Sequence, residues 1–341
     1  MRVLLYEHLS GGGLASQALP PALLREGLAM RHALLRDLLD LPETTVWLCH
    51  DSRLPPPTPC PNLTLISIAQ PPLPQTFERI LKQVDAAWLI APESNGILAQ
   101  LSQWVLDHGK RLLGSPPDIV ALCSDKYRTA NQLARHGIAV VPTQSLDTTE
   151  CVPLGQWIVK PNAGVGGAAT YRVDHQHYPA LRTKLMSEAP KEHYLVQPYR
   201  EGSPASLSAL FAHGSVVDLS YNRMHVTFLP NQVHIEAITV NAPSPHRLRH
   251  RTLLQRIAHA MPTLWGYVGI DLIENEETAE VLEINPRLTL SYCGLRAALG
   301  VNVAEWVLRL DQEETLRLPD QGRSVRVAAH NETYQAISYD A

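Results

Sequence analysis

The length and charge of the chain exclude several classes of protein. Its 341 residues are enough for two or three lobes with separate cores, so clefts between lobes are the expected sites. The 29 basic and 33 acidic residues give a net charge of −4, and no run of Lys and Arg is long enough to follow the phosphates of a nucleic acid. We therefore expect no nucleic-acid partner.

Cysteine usage and hydropathy predict a soluble protein of the cytoplasm. The five cysteines are widely scattered and never spaced as C-x-x-C, which argues against a disulfide framework and against a zinc site. The first residues carry too short an apolar run for a signal peptide. No later apolar run approaches the ~18 residues that cross a bilayer, so we expect no membrane partner.

The first third of the chain alternates predicted strands and helices. RVLLYEHLSGGG reads as a buried strand and a glycine-rich turn, and LLREGLAMRHALLRDLLDL has apolar residues at helical spacing. Further strands are predicted at TVWLCH, LTLISI, AAWLIAP and KRLLGSP, with helices at FERILKQV and ILAQLSQWVLDHG. This alternation predicts a small parallel α/β domain in residues 1–115.

Beyond Pro116 and Pro117 the pattern becomes α+β and mainly antiparallel. SDKYRTANQLARHGI predicts a helix capped by Ser124 or Asp125, and AVVPTQSL predicts a strand. WIVKP and AATYRV predict a hairpin around NAGVGG. Alternating strands, a helix at HRLRHRTLLQRIAHAM and a final strand pair follow, and RSVRVAAH predicts one more strand near the end.

Three oxygen-bearing side chains are predicted to converge on the final strand pair. Glu283 and Asn285 are two residues apart on one strand and therefore project from the same face. Asp271 lies on the preceding strand, which the turn ENEET joins to theirs. Two carboxylates and a carboxamide suit Mg²⁺. The alternative is a solvated sheet face with ordinary polar residues, and the spacing alone does not separate the two.

The hairpin that carries Lys160 could bind phosphate. A lysine at the end of a strand, followed by Gly164, Val165, Gly166 and Gly167, can place an ammonium and several accessible backbone N–H groups around phosphate oxygens. The segment is not a P-loop, because the motif G-x-x-x-x-G-K-[ST] is absent, and it is not a dinucleotide fingerprint, because a strand rather than a helix follows it. A plain flexible hairpin is the alternative, and Lys126 by itself is typical of a solvated surface lysine.

The order of these features resembles the ATP-grasp superfamily of carboxylate–amine ligases. The matching features are Lys126, Lys160 with its glycine loop, YLVQPYREG, Asp271 and EINPR, and the resemblance extends over roughly residues 1–311. It implies an α/β plus α+β fold in which two α+β lobes enclose a nucleotide. The implied division is an amino-terminal domain at 1–115, a small lobe at 116–194, a large lobe at 195–311 and a carboxyl-terminal extension at 312–341.

The resemblance also implies roles for individual residues. Lys126 and Lys160 would hold the phosphates of ATP, the loop at 164–167 would close over them, and Gln197, Pro198 and Tyr199 would face the adenine. Asp271, Glu283 and Asn285 would bind Mg²⁺, with Mn²⁺ as an alternative metal. Arg287 would contact the transferring phosphoryl group or the acceptor carboxylate. The acids that relatives use for ribose are absent near Gln197 and after Gly202, and Glu201 is the predicted substitute.

The implied reaction joins a carboxylate to an amine. ATP would phosphorylate the acid, and an amine would displace phosphate from the acyl phosphate, with Mg²⁺, Lys160 and Arg287 balancing the charge. YEHLSGGG, LIAPESNGIL and LSYNRMHV resemble the branch of the superfamily that joins the γ-carboxylate of glutamate to tyramine in methanofuran and methylofuran biosynthesis. The predicted partners are therefore a small amino acid and an amine, and a homodimer is left open. The candidate substrate residues are Glu7, Ser10, Gly11, Gly12, Glu93 and Ser94, and Arg223 is a candidate catalytic residue that could hold a substrate carboxylate.

Three other functions remain as alternatives. The first is another amino-acid or dipeptide ligase with the same fold, and the second is a nucleotide-binding regulatory module without turnover. The full set of phosphate and metal residues argues against the second. The third is a dinucleotide-dependent oxidoreductase, which only the loose fingerprint LSGGGL favours. The fifteen histidines show no metal-ligand spacing.

Overall fold

A computed structural model describes residues 1–70, 74–164, 166–189, 192–229, 232–311, 322–328 and 337–338. Val165, which the sequence places in the glycine loop, lies outside these residues, and so does most of the predicted extension at 312–341. No helix in the described part of the chain is both long and apolar enough to span a bilayer.

The amino-terminal part folds into a five-stranded parallel sheet with helices beside it. The strands are β1 (Arg2–Glu7), β2 (Thr45–Asp51), β3 (Leu63–Ile68), β4 (Ala86–Ile90) and β5 (Arg111–Leu112), and their order in the sheet is β3-β2-β1-β4-β5. The helices are α1 (Pro21–Leu39), α2 (Pro74–Leu81) and α3 (Ile97–Asp107). Every residue of β4 is buried, as expected for a central parallel strand. The predicted parallel α/β arrangement is confirmed.

A four-stranded antiparallel sheet, the small sheet, follows. Helices α4 (Pro117–Ser124) and α5 (Lys126–Arg135) precede it, and α6 (Tyr178–Glu188) lies within it along the chain. Its strands are β6 (Gln144–Ser145), β7 (Gln156–Pro161), β8 (Tyr171–Asp174) and β9 (Tyr194–Pro198), in the order β6-β9-β7-β8. Strand β9 begins at the predicted lobe boundary and pairs with β7, so its backbone belongs to the small sheet.

The predicted strand AVVPTQSL is shorter in the structure. Only Gln144–Ser145 forms a strand, and it pairs with β9. Val140 instead makes an isolated bridge to Val281 in the large lobe. Pro142 lies between these two pairings, and proline lacks the N–H that a continuous ladder requires.

A seven-stranded sheet, the large sheet, forms most of the rest. Its strands are β10 (Ser203–Ala212), β11 (Ser215–Leu229), β12 (Gln232–Val240), β13 (Gly266–Glu274), β14 (Ala279–Asn285), β15 (Val325–Ala328) and β16 (Ile337–Ser338). Their order is β14-β13-β10-β11-β12-β15-β16, and the pairings are antiparallel. The helices here are α7 (Arg247–Ala260), α8 (Tyr292–Leu299) and α9 (Val303–Leu308). The strand predicted in RSVRVAAH is β15, which pairs with β12.

The large sheet has two chemically different faces. One, the α7 face, packs apolar residues such as Leu207 and Ile270 against Leu254 and Ile257 of α7. The opposite face carries Ser206 and Asp271, which are paired across β10 and β13. We call this second face the cleft face, because it opens toward the small sheet.

A buried carboxylate connects the amino-terminal domain to the large lobe. Asp37 of α1 is 1% exposed, and its carboxylate accepts hydrogen bonds from Tyr292 Oη (3.0 Å) and Arg296 Nη1 (3.2 Å) of α8. Its backbone carbonyl accepts a third bond from Asn302 Nδ2 at 2.7 Å. These contacts position α1 beside the cleft.

Candidate active site

Asp271, Glu283 and Asn285 converge on the cleft face. Asp271 lies directly opposite Glu283 in the antiparallel register of β13 and β14, and Nδ2 of Asn285 donates to Oδ2 of Asp271 at 3.3 Å. Next to this pair the register shifts, and Leu272 pairs with Val281. This irregularity leaves Leu282 without a counterpart on β13 and directs it into the cleft.

Two lysines approach these oxygens from different elements. Lys126 is the first residue of α5, which Asp125 caps by accepting from Arg128 N at 2.9 Å. Its Nζ lies 3.1 Å from Glu283 Oε2 and donates to Gly164 O at 2.8 Å. Lys160 lies on β7 and lines the same cleft. Burial lowers the pKa of Lys160 to about 8, against the opposing effect of Glu283.

The charges of the site are strongly coupled. Burial alone would raise the pKa of Glu283, but the ammonium groups of Lys126 and Lys160 outweigh it and lower the pKa to about 2. Burial and the neighbouring Glu283 raise the pKa of Asp271 well above its usual value. Two carboxylates that repel each other inside a cleft, with an amide beside them, are a donor set that fits Mg²⁺. The described residues contain no group of three or more His, Cys, Asp or Glu side chains arranged to hold a metal ion.

The cleft between the two sheets has a volume of about 210 Å³. Its walls are largely apolar, with Ile158 and Pro198 from the small sheet facing Leu282 from the large sheet. Gln197 and Tyr199 also line it. Gln197 is buried and donates from Nε2 to Thr143 Oγ1 at 2.8 Å, and the guanidinium of Arg172 lies 3.9 Å from the ring centroid of Tyr199. A largely apolar cleft with a few polar groups suits a purine nucleotide.

The glycine loop lies across this cleft. Gly164, Gly166 and Gly167 line it, and the carbonyl of Gly167 accepts a hydrogen bond from Val233 N of β12 at 3.1 Å. Gly166 lies near Leu23 of α1, because a Cβ at Gly166 would be 3.1 Å from Leu23 Cδ2. The loop therefore contacts both the large sheet and the amino-terminal domain.

An ion pair joins the amino-terminal domain to the end of β14. Nε of Arg287 lies 2.9 Å from Oε1 of Glu93, and both side chains are largely buried. Glu93 and Ser94 line a small polar pocket together with Lys126, Glu283 and Asn285. The structure thus brings Glu93, Ser94 and Arg287 next to the residues that are predicted to bind phosphate and Mg²⁺.

Four predicted substrate residues are buried inside the amino-terminal domain. Glu7, Ser10, Gly11 and Gly12 are all buried. The carboxylate of Glu7 accepts from Ser10 Oγ (2.5 Å), Ser10 N (2.7 Å) and Leu9 N (3.1 Å). It also presses against α1, since a Cβ at Gly27 would be 2.6 Å from Glu7 Oε1. These groups stabilise the turn after β1, and substrate contact at the four positions stays a prediction.

Arg223 and Glu201 are not brought to the cleft either. Arg223 pairs with Ala205, whose side chain belongs to the core of the α7 face, so Arg223 points away from Asp271. The residue before it, Asn222, lies on the cleft face and donates to Ser206 Oγ and Ser208 Oγ. Glu201 is exposed and does not line the cleft.

Some residues of the cleft are absent from the sequence-based prediction. Met224, Val226 and Phe228 form an apolar wall from alternate positions of β11. Their spacing of two residues along the strand is the pattern in the sequence that could have predicted this wall. Glu26 of α1 carries no such signal, yet burial raises its pKa while Arg287, His234 and Arg25 lower it, which places it in the same charged region.

Comparison with known proteins identifies the family. The family model described as "pre ATP-grasp 3 domain" matches residues 44–120, and the one described as "ATP-grasp domain" matches residues 123–291. The chain belongs to the ATP-grasp superfamily. The second match contains Lys126, Lys160, Asp271, Glu283 and Asn285.

Individual ATP-grasp proteins are similar over nearly the whole chain. A tyramine–L-glutamate ligase of Methanocaldococcus fervens is 24% identical over 95% of this chain and 99% of that protein. The crystal structure of a putative ATP-grasp superfamily protein from Archaeoglobus fulgidus has a TM-score of 0.70 and 22% identity, over 99% of this chain and 96% of that one. The biotin carboxylase domain of Hydrogenobacter thermophilus 2-oxoglutarate carboxylase, solved with MgADP, has a TM-score of 0.71 and 14% identity, over 96% and 74%.

The ATP-grasp fold predicted from the sequence is therefore confirmed. The protein is an ATP-dependent carbon–nitrogen ligase.

Proposed function

We propose that this ligase phosphorylates the γ-carboxylate of glutamate with ATP and joins the activated acyl group to a primary amine, with tyramine as the first candidate. The observation that carries the proposal is the position of Arg287 and Glu93 beside the residues that are predicted to bind phosphate and Mg²⁺. This ion pair joins the amino-terminal domain to the end of β14, and Glu93 lines a small polar pocket with Lys126 and Glu283, so charges of both signs are available for an amino acid and an amine. The choice of substrates is supported by the similarity to the Methanocaldococcus ligase over almost its full length.

The first step transfers a phosphoryl group. A carboxylate oxygen of the acid attacks the γ-phosphorus, the bond from γ-phosphorus to the β,γ-bridging oxygen breaks, and ADP leaves. Lys126 and Lys160 hold the phosphate oxygens, and Arg287 faces the charge that spreads over the transferring group. Mg²⁺ held by Asp271, Glu283 and Asn285 would neutralise phosphate charge during this step.

The second step forms the amide. The neutral amine attacks the acyl carbon, the bond from that carbon to the phosphate oxygen breaks, and the departing phosphate takes up the proton that the nitrogen loses. Glu93 offers a carboxylate that attracts the ammonium form of the amine before it reacts. The glycine loop, held against β12 and α1, keeps water away from the acyl phosphate.

Turnover with a defined set of substrates tests the proposal. Purified protein is incubated with ATP, Mg²⁺, glutamate and a panel of amines that includes tyramine, phenethylamine and free amino acids, and ADP, phosphate and amide are measured. Glutamine is the matched control for the acid, because its γ-carboxylate is already amidated. We expect ADP and a γ-amide from glutamate and tyramine and none from glutamine.

Isotope labelling tests the chemistry itself. With ¹⁸O in the γ-carboxylate of glutamate, one label should appear in the released phosphate. Release of AMP and pyrophosphate would contradict the acyl phosphate route. Amide formation only with amino acids as the amine would make the protein a dipeptide ligase. ATP binding without turnover on any acid and amine would favour the regulatory module.

A further inference from the structure

A ring of four hydroxyl groups joins the large sheet to residues 286–291, the segment that follows β14. Oη of Tyr267, on β13, lies 2.9 Å from Ser208 Oγ, 3.0 Å from Thr289 Oγ1 and 3.2 Å from Ser291 Oγ. Ser291 Oγ lies 2.9 Å from Thr289 Oγ1 and 3.2 Å from Ser208 Oγ, which closes the hydroxyl ring. Tyr267, Ser208 and Ser291 are at most 2% exposed, so their hydroxyls bond to protein groups rather than to bulk water.

Asn222 of β11 orients the hydrogen bonds of the hydroxyl ring. Its side chain is fully buried, and Nδ2 donates to Ser208 Oγ at 3.0 Å and to Ser206 Oγ at 3.2 Å. Its Oδ1 accepts from Ser220 Oγ, which fixes the amide in this orientation. Because Ser208 Oγ accepts from Asn222, its own proton points onward into the ring. Burial raises the pKa of Tyr267, so the phenol keeps its proton and remains a donor.

A glycine allows the segment to lie directly on β13. A Cβ at Gly269 would be 2.6 Å from Thr289 Cγ2, so any larger residue there would displace Thr289. Gly269 pairs with Ser208 of β10 and Asn285 of β14, and it lies two residues from Asp271 on the same face of the sheet. The hydroxyl ring and the predicted metal ligands are therefore neighbours on the cleft face.

The guanidinium of Arg287 is attached to the same segment. Its Nη1 donates to the carbonyl of Leu288 at 3.0 Å, and Leu288 directly precedes Thr289. Arg287 and Tyr267 also line one small cavity. Glu93 contacts the guanidinium through Nε. A displacement of Thr289 would carry the Leu288 carbonyl with it and change the direction in which the guanidinium points.

Stability alone does not explain hydroxyl groups at these positions. Buried hydroxyls cost free energy unless each is hydrogen-bonded, whereas apolar side chains of the same shape are buried without that cost. A bonded ring adds a fixed distance and direction, because each hydrogen bond weakens when its geometry changes.

We propose that the hydroxyl ring, anchored at Tyr267, positions the guanidinium of Arg287 against the transferring phosphoryl group. This inference rests on the phosphoryl transfer of the proposed function. Tyr267 is a positioning residue, because it acts through the segment that carries Arg287.

Nucleotide binding with a mimic of the transferring phosphoryl group tests the proposal without any acid or amine. The full-length protein with Mg²⁺ is titrated with ADP by calorimetry, with and without aluminium fluoride, which takes the place of that group beside ADP. Because transition-state analogues bind more tightly than ground-state ligands, we expect fluoride to tighten ADP binding by the wild type at least about 10²-fold. Arg287→Ala should lose most of this gain. Tyr267→Phe should reduce the gain about tenfold through misplacement of Arg287 and leave the binding of ADP alone unchanged.

Two variants of Thr289 separate the hydroxyl from the shape of the ring. Thr289→Val removes the hydroxyl and keeps the volume, so it should lose about as much of the gain as Tyr267→Phe. Thr289→Ser keeps the hydroxyl and should retain most of the gain. Tyr178→Phe is the matched control, because Tyr178 is a fully buried tyrosine of α6 whose Oη donates to Thr149 O at 2.7 Å. It should lower the Tm and keep the full gain.

Several results would overturn the proposal. An unchanged gain in Tyr267→Phe and Thr289→Val would do so, as would an equal loss in Tyr178→Phe or weaker binding of ADP alone by Tyr267→Phe. The double variant Tyr267→Phe/Arg287→Ala should keep the same residual gain as Arg287→Ala, and a further loss would show that the ring acts on another group. If Tyr267→Phe does not fold, the two Thr289 variants decide.

The same measurements separate this proposal from the choice of substrates. Absence of any gain in the wild type would contradict the role of Arg287 and with it the positioning by Tyr267. A gain in the wild type without amide formation from glutamate and tyramine would contradict only the proposed substrates.

Discussion

The ammonium of Lys126 lies 3.1 Å from the carboxylate of Glu283 and also donates to the carbonyl of Gly164 in the glycine loop. One side chain therefore connects the start of α5, the predicted metal ligand on β14 and the loop over the cleft. A phosphate that attracts Lys126 would weaken both of these contacts. A charge bound in the cleft would therefore affect the loop and the predicted metal ligands together.

Glu283→Gln is expected to reduce turnover at least about 10²-fold while the fold remains intact. The substitution removes one of the two carboxylates that suit Mg²⁺ and the charge that balances Lys126 and Lys160. ADP release at saturating ATP measures the effect, and Mg²⁺ titration should show a higher concentration for half-maximal rate. Glu277→Gln, with an exposed side chain, is the control. A wild-type rate in Glu283→Gln would remove this residue from the site.

Lys160→Ala is expected to weaken ATP binding by ~1.5–3 kcal/mol, the usual range for a hydrogen bond to a charged group. Lys160 lines the cleft and contributes a charge beside Glu283. Calorimetry with ATP and Mg²⁺ measures the loss directly, and turnover should disappear. Lys184→Ala, on an exposed face of α6 in the same lobe, should leave both unchanged. Similar ATP affinity in the two variants would contradict the phosphate role.

Gly167→Ala is expected to raise the KM for ATP about tenfold and to lower kcat. Gly167 has a φ of +67°, and a Cβ there would lie 2.3 Å from the carbonyl oxygen of Val233, so the loop would have to leave β12. Gly109→Ala is the matched control, because it shares the positive φ (+62°) with open space around it. That control should cost ~1–2 kcal/mol of stability from backbone strain and leave the KM unchanged. Equal effects on the KM would show that strain alone is responsible.

Glu93→Gln is expected to raise the KM for the acid or the amine about tenfold while ATP binding stays the same. The substitution leaves Arg287 with a weaker partner at the end of the cleft beside the amino-terminal domain. Steady-state kinetics with each substrate varied in turn separates the three KM values. Glu78→Gln, whose carboxylate pairs with Lys82 on the surface, serves as the control. A change confined to the KM for ATP would assign Glu93 to the nucleotide instead.

Asp37→Ala is expected to destabilise the protein by ~3–5 kcal/mol, because it leaves Tyr292 and Arg296 without a buried partner. Thermal and urea unfolding measure the loss. Asp40→Ala removes another partner of Arg296, but the Asp40 side chain is 50% exposed, so we expect less than ~1 kcal/mol. Comparable losses in the two variants would show that the α1–α8 interface does not depend on the buried carboxylate.

Local patterns were sufficient to predict much of the candidate site. The convergence of Asp271, Glu283 and Asn285 needs only strand alternation and one short turn, both of which are visible in the sequence. The glycine loop was likewise placed correctly within a hairpin, because β7 and β8 are antiparallel partners.

Other features depend on contacts that no local pattern encodes. The pairing of Glu93 with Arg287 joins two domains. Glu7 lies at the end of a strand, and only the packing of α1 against its carboxylate shows that it is buried. The sequence alone does not say which face of the sheet carries Arg223, because the phase of β11 is set by its pairing with β10, and a shift of one residue reverses every side chain of a strand. Tertiary packing, not propensity, decides each of these positions.

The two lysines of the cleft are carried by parts of the structure that pack separately. Lys126 begins a helix whose Leu133 is packed into the core of the large sheet, whereas Lys160 is part of the small sheet. A complete site for the triphosphate therefore exists only while the two sheets are close together. The measured nucleotide affinity must include the free energy of bringing them together, so a substitution far from the cleft that favours separated sheets would weaken ATP binding without touching ATP.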